Sequence, residues 1–276
     1  SSDLDSHIDD IKEGKAKVAR IPTGIYPLDC AVKGGLVRGK HGCWLGGRKA
    51  GKSLLLTFIA STSVLCGLTV VYITLELREP EVIIRLDSCL TGISIDDIQN
   101  GGLDVSIDVD KKLRSVLDNS GGRYIVKYFP PRAVSVKDID SYLSDLRSMR
   151  DVIPDVVIVD YADDLIASTK DGNDNTYIKG DHIYADLKAL GSNSDHSYGS
   201  LCGHNCAVWT VSQVQRDAMS DEVIRMAKDD KSIAKVSKVD FLGSICKNDD
   251  EADSGMARLY IASCSYAPGN RGFVDE

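Results

Sequence analysis

The chain has 276 residues, 43% of them hydrophobic and 27% charged, which suits one α/β domain with a large core. Its 33 basic and 41 acidic residues leave a net charge of −8, which argues against a generally basic coat protein for nucleic acid and leaves room for a local basic channel. No run of eighteen apolar residues occurs, so neither a membrane span nor a membrane partner is expected. The first residues, Ser1-Ser2, include no Met and resemble no signal peptide, so a processed or excised piece is expected. The eight cysteines are scattered, and they read as reduced, buried thiols of a cytoplasmic protein.

In chain order, Leu4 to Ile11 is a short acidic helix candidate, either a solvated tail or a docking arm for a neighbouring subunit. The sequence from Ile21 to Gly39 reads as loop, short helix and Gly-rich turn. His41 to Leu45 then reads as a buried strand and Leu54 to Ala60 as a helix, and between them lies Gly46-Gly47-Arg48-Lys49-Ala50-Gly51-Lys52-Ser53. This stretch fits the phosphate-loop pattern G-x-x-x-x-G-K-[ST] at every required position. Glycines let successive N–H groups turn inward around a phosphate, Lys52 reaches the β- and γ-phosphates of ATP, and the Ser53 hydroxyl ligates Mg²⁺. The helix N-terminus faces the same anion.

Thr69 to Thr74 is a β-branched strand, and Glu76 just beyond it is placed to orient a water on the γ-phosphate. Tyr124 to Tyr128 is a further strand, and Ser135 with Asp138 marks a capping box opening a helix from Val136 to Met149. Val156 to Val159 is a wholly apolar run ending in Asp160, the form of a buried central strand that delivers a carboxylate to the Mg²⁺ shell. A helix is expected from His182 to Leu190. The segment Gly191 to Gly203 and the residues just after it bring His196, Cys202, His204 and Cys206 together in sequence, but with spacings that fit no standard zinc site. Ala207 to Val211 is another buried strand, and Gln213 at its end can sense the γ-phosphate. Lys228, Lys231, Lys235 and Lys238 recur at intervals that align them on one helical face, either solvated or set against a polyanion. Val239 to Cys246 and Arg258 to Ala262 read as closing strands, with an acidic turn from Asn248 to Ser254 between them.

These segments resemble the RecA-like ATPases, above all the DnaB-type replicative helicases and their phage branch. The resemblance rests on Ile21-Pro22-Thr23-Gly24 with Leu28-Asp29 before the phosphate loop, Thr74-Leu75-Glu76-Leu77 with Arg85-Leu86 after it, Val159-Asp160-Tyr161, and Ser212-Gln213 with Arg216. It covers Ile21 to the C-terminus. It implies a mostly parallel, twisted sheet with helices on both faces, preceded by a linker or docking helix over residues 1–20. It also implies a 5′–3′ DNA helicase motor, assembled as a homo-oligomer, a hexameric ring, with ATP and Mg²⁺ at the subunit interfaces. Single-stranded DNA would be held by Arg216 and the lysine face, and a primase or helicase loader are candidate partners. In these roles Glu76 positions the attacking water, Gly46 to Ser53 hold the phosphates, Asp160 backs the metal, and Gln213 reports phosphate loss. The family's last strand carries K-x-R, whose Arg acts on the neighbouring subunit's ATP. Here Ser263 to Tyr266 offers no basic residue, and Arg271, or else Arg258 or Lys247, is left to supply it. A RecA-type recombinase filament and a nucleotide-gated scaffold are the competing readings.

Overall fold

A computed structural model describes residues 20–167, 176–192, 201–213, 238–267, 269 and 271–274. Strand β1 (Arg20–Ile21) pairs antiparallel with β2 (Leu36–Val37), and helix α1 (Tyr26–Ala31) lies between them. Thr23 and Gly24 are pinned to Asp29, whose carboxylate accepts from both backbone N–H groups and from the Thr23 hydroxyl. This small ribbon leads into β3 (His41–Gly46), followed by α2 (Lys52–Leu65), β4 (Thr69–Thr74), α3 (Glu79–Thr91), α4 (Ile95–Asn100), α5 (Gly102–Ser120) and β5 (Arg123–Tyr128). The second half holds α6 (Val136–Arg150), β6 (Val156–Asp160), a single 3₁₀ turn (Ala162–Asp164), α7 (Thr176–Gly191), β7 (Ala207–Gln213), β8 (Phe241–Cys246), α8 (Asp249–Asp253), β9 (Arg258–Cys264) and β10 (Gly272–Phe273).

The main sheet runs β10-β9-β8-β3-β7-β6-β4-β5. Every pairing from β8 through β5 is parallel, while β9 is antiparallel to both β8 and β10. The expected mostly parallel sheet covered on both faces is therefore present. Central strands buried on both faces need apolar side chains at every position, which is why β4 and β6 read as continuous hydrophobic runs. Alternate residues feed two separate cores. Cys43, Leu45, Val71, Ile73, Val157 and Val159 pack against Ile139 and Leu143 of α6 and Leu187 and Leu190 of α7. Trp44, Val70, Tyr72, Ile158 and Trp209 pack on the other face against Leu56, Ile59 and Val64 of α2 and Leu86 of α3.

Local signals set the element ends. At α6, Asp138 accepts from both the backbone N–H and the hydroxyl of Ser135, the expected cap. The acidic stretch after β8 differs from the expected turn, because Asp249–Asp253 is helical. Asn248 and Glu251 form a reciprocal capping box there, which stabilises one helical turn even in a run of like charges.

Candidate nucleotide-binding and hydrolysis site

Parallel β-α units leave their functional loops at the carboxyl ends of the strands, and here four strand ends meet. Gly46, the last residue of β3, is paired in register with Gln213, the last residue of β7. Thr74 of β4 is paired with Asp160 of β6, and the Leu75 N–H extends that ladder to the Asp160 carbonyl at 2.8 Å. The Glu76 loop is held by Thr74, whose hydroxyl donates to the Leu77 carbonyl and accepts from its N–H. Glu76, Asp160 and Gln213 thereby converge with the phosphate loop around one cleft of about 530 Å³.

The loop itself turns through two left-handed residues, Lys49 at φ 64° and Gly51 at φ 96°. Gly51 leads directly into α2, whose first residue is Lys52. Gly46 lies close under the lysine, since a Cβ there would meet the Lys52 side chain at 3.0 Å and push it aside. The Lys52 ammonium donates to the Gly47 carbonyl at 2.7 Å, so the lysine folds back over its own loop. Burial lowers the Lys52 pKa, and the carboxylates of Asp160, Glu76 and Asp163 act against that shift. Arg48, Lys49, Ala50 and Ser53 line the same cleft.

Asp160 is 1% exposed. One of its oxygens accepts from the Tyr72 hydroxyl at 2.9 Å, while the other has no hydrogen-bond partner. Burial raises its pKa, and the Tyr72 and Ser53 hydroxyls pull it back. A buried carboxylate oxygen without a donor, close to a serine hydroxyl at a phosphate loop, fits the outer shell of a divalent cation. Ser53 and Asp160 are the residues that would hold Mg²⁺.

Arg85 and Tyr161 line the cleft as well, as does Leu54, and sequence reasoning gave none of them a role there. The Arg85-Leu86 pair was visible as part of the resemblance. Its place at the cleft follows only from helix α3 packing back along α2. Asp163, in the Ala162–Asp164 turn, carries no motif signal of its own.

The remaining expected residues lie elsewhere. Arg216, Lys228, Lys231 and Lys235 fall outside the described residues. Lys238 is exposed at the opposite end of the sheet, 3.8 Å from Asp181 of α7. Arg271 lines a second cleft of about 460 Å³ with Asp240, Ser263 and Ser265. Asp240 pairs with the first residue of β3, so this cleft is remote from the chain's own phosphate loop. Arg258 is engaged by Glu251 at 2.6 Å and lies over the Phe273 ring. His196 falls outside the described residues, His204 is bound to Asp140 at 2.8 Å, and Cys206 is buried in the core, whereas Cys30, Cys66, Cys89 and Cys202 are exposed, against the expectation of buried thiols. Among the described residues no cluster of three or more His, Cys, Asp or Glu side chains is placed to hold a metal ion. No described helix is long and apolar enough to cross a membrane.

No protein-family model matches the chain. A DnaB-like replicative helicase of Enterobacteria phage T4 is 24% identical over 257 residues, which is 92% of this chain and 52% of that protein. The chain thus spans about half the length of this curated relative. Among solved structures, an ATPase domain superposes with a TM-score of 0.75 at 18% identity, over 99% of this chain and 92% of that one. A DnaB-like replicative helicase described together with its interactions with primase gives 0.72 at 19% identity, over 98% and 62%. Over nearly its whole length, the chain is therefore similar in sequence to a DnaB-like replicative helicase and has the fold of a RecA-like ATPase domain.

Proposed function

We propose that the chain is the ATP-hydrolysing motor domain of a replicative DNA helicase that works as a ring of identical subunits in the cytoplasm of a bacterial or phage-infected cell. The observation that carries this reading is the convergence of the phosphate loop, Glu76, Asp160 and Gln213 on one cleft. Lys52 and the loop amides hold the ATP phosphates, and Ser53 and Asp160 hold Mg²⁺. When bound, the cation neutralises charge on the phosphate oxygens. Glu76, exposed at the cleft and not engaged by a described cation, is free to accept a hydrogen bond from the attacking water and align it with the γ-phosphorus. Gln213 faces the same phosphate from the end of β7 and passes its loss to residues 214–237. There Arg216 and the lysines at 228, 231 and 235, with Lys238 beyond, are candidates to contact single-stranded DNA through its phosphates.

Arg271 is the candidate to act on the neighbouring subunit's ATP, a reading supported by its position far from its own phosphate loop. Primase or a helicase loader would be partners of the assembled ring. The chain spans only part of the relative it matches, so these partners are drawn from the resemblance.

The test is ATP hydrolysis with and without single-stranded DNA at low salt, using Glu76→Gln as control. Stimulation by DNA together with a loss of at least about a hundredfold in Glu76→Gln supports the motor. Slow turnover indifferent to DNA defeats it. That outcome favours a nucleotide-gated scaffold, to which the lack of a basic residue from Ser263 to Tyr266 already lends some weight. Helical filaments on DNA in place of closed rings would point to a recombinase.

A further inference from the structure

We infer that Asp163 is a positioning residue that fixes Gln213 in the nucleotide cleft and joins that end of β7 to α7. The inference rests on the reading of the cleft as an ATP-hydrolysing site. It begins from where the β6–β7 ladder stops. The register ends at Val159 with Thr210, because β6 ends at Asp160 and the chain turns away. Ser212 and Gln213 continue β7 past that point, paired with β3 on one side only. The Gln213 N–H, turned to the β6 side, needs a partner that β6 no longer supplies.

The turn after β6 supplies it. The Ala162 N–H donates to the Thr210 hydroxyl at 3.2 Å, which in turn donates to the Val159 carbonyl at 2.7 Å. Asp163 then takes over one residue further on. Its Oδ2 accepts from the Ser212 hydroxyl at 2.8 Å and from the Gln213 backbone N–H at 3.3 Å. The carboxylate stands where the next backbone carbonyl of the ladder would be. Its Oδ1 accepts from the hydroxyl of Tyr184, a fully buried residue of α7, at 3.4 Å. Asp163 therefore links three elements: the turn that follows Asp160, the strand end that carries Gln213, and a helix of the opposite layer. The neighbouring Asp164 faces elsewhere, 3.8 Å from Arg132 in the loop before α6.

The chemistry assigns the effect to turnover. Lys52 and the loop amides hold the phosphates whether or not Gln213 is in place. Freeing the last two residues of β7 lets the Gln213 amide leave the cleft, so catalysis falls while ground-state binding is kept. Asparagine can replace the aspartate in all three contacts. Its amide oxygen accepts from Ser212 and Gln213, and its NH₂ donates to the Tyr184 oxygen.

The experiment measures kcat and KM for ATP in Asp163→Ala, Asp163→Asn, Ser212→Ala and Glu76→Gln. The expected result is a kcat lowered about tenfold or more in Asp163→Ala with KM within roughly threefold of wild type, and a kcat restored to within roughly threefold by Asp163→Asn. Wild-type kcat in the alanine variant, a loss confined to KM, or an asparagine variant as slow as alanine overturns the inference. The last outcome would mean that the charge of Asp163 acts on Lys52. If Asp163→Ala does not fold, Ser212→Ala decides: reduced kcat at constant KM supports the role, and unchanged kcat overturns it. Glu76→Gln separates the two levels. If it turns over like wild type, the reading of the cleft fails and takes this inference with it. If it is inactive while Asp163→Ala is normal, only the role of Asp163 fails.

Discussion

At the phosphate loop, single residues carry opposing demands. Lys52 is partly desolvated, which lowers its pKa, and the carboxylates of Asp160, Glu76 and Asp163 favour its charged form. A cation bonded only to its own loop carbonyl, with three acids favouring its charge, is ready to exchange that carbonyl for a phosphate oxygen. In wild type, an ATP analogue that resists hydrolysis, with Mg²⁺ at a hundred times its Kd, is expected to add about 2.7 kcal/mol of stability. Lys52→Ala should lose most of that gain while melting normally without nucleotide, which thermal denaturation with and without the analogue would show. Gly51→Ala addresses the loop itself. Its φ of 96° lies where a side chain is strained, so the variant is expected to lose about 1–2 kcal/mol in urea denaturation. A wild-type midpoint would contradict the conformational argument.

Elements differ in how plainly the sequence announces them. Strands β4 and β6 are buried on both faces and therefore spell out their extent as apolar runs, and the phosphate loop needs residue types too specific to mistake. The two-residue strands β1, β2 and β10 are too short to hold a period. Helix α8 lies within a run of acids that masks the signature of Asn248 and Glu251. Arg85 and Asp163 joined the site through topology, since nothing in sequence says that β4 lies beside β6 or that β6 stops short of β7. The cap of α6 was legible and is testable. Hydrogen bonds from the Ser135 N–H and hydroxyl lower the Asp138 pKa. A depressed carboxylate contributes stability above its unfolded-state pKa of 3.8 and loses it as pH falls through the lower folded value. Asp138→Ala is expected to cost about 1 kcal/mol at neutral pH, a modest figure because the group is largely solvated, and less once the carboxylate is protonated. Urea midpoints at the two pH values would check it.

The whole molecule is organised about a sheet with two chemically distinct ends. Opposite the cleft, Asp240 is 3% exposed and binds Lys188 at 3.0 Å and the His41 N–H at 3.2 Å. The His41 ring is stacked on Tyr184 at 5.8 Å. Burial lowers the His41 pKa from 6.5 to about 4; Asp240 opposes the shift and Lys188 adds to it. A histidine depressed in the folded state takes up its proton on unfolding, so stability is lost as pH falls from about 6.5 to about 4. The full effect is on the order of 3 kcal/mol. His41→Phe keeps a ring against Tyr184 and should flatten that part of the stability–pH curve; an unchanged slope would exclude His41 as its source. The placement of β7 between β3 and β6 has a mechanical consequence. Parallel ladders flank β7 on both sides, and their hydrogen bonds lie across the strand axis. A pull on the chain at Gln213, directed along β7, loads both ladders in shear at once. The two-residue edge strand β10 can instead be peeled away one bond at a time. Tension entering through residues 214–237 would therefore be resisted by both ladders together, at a strand end that lines the candidate nucleotide cleft.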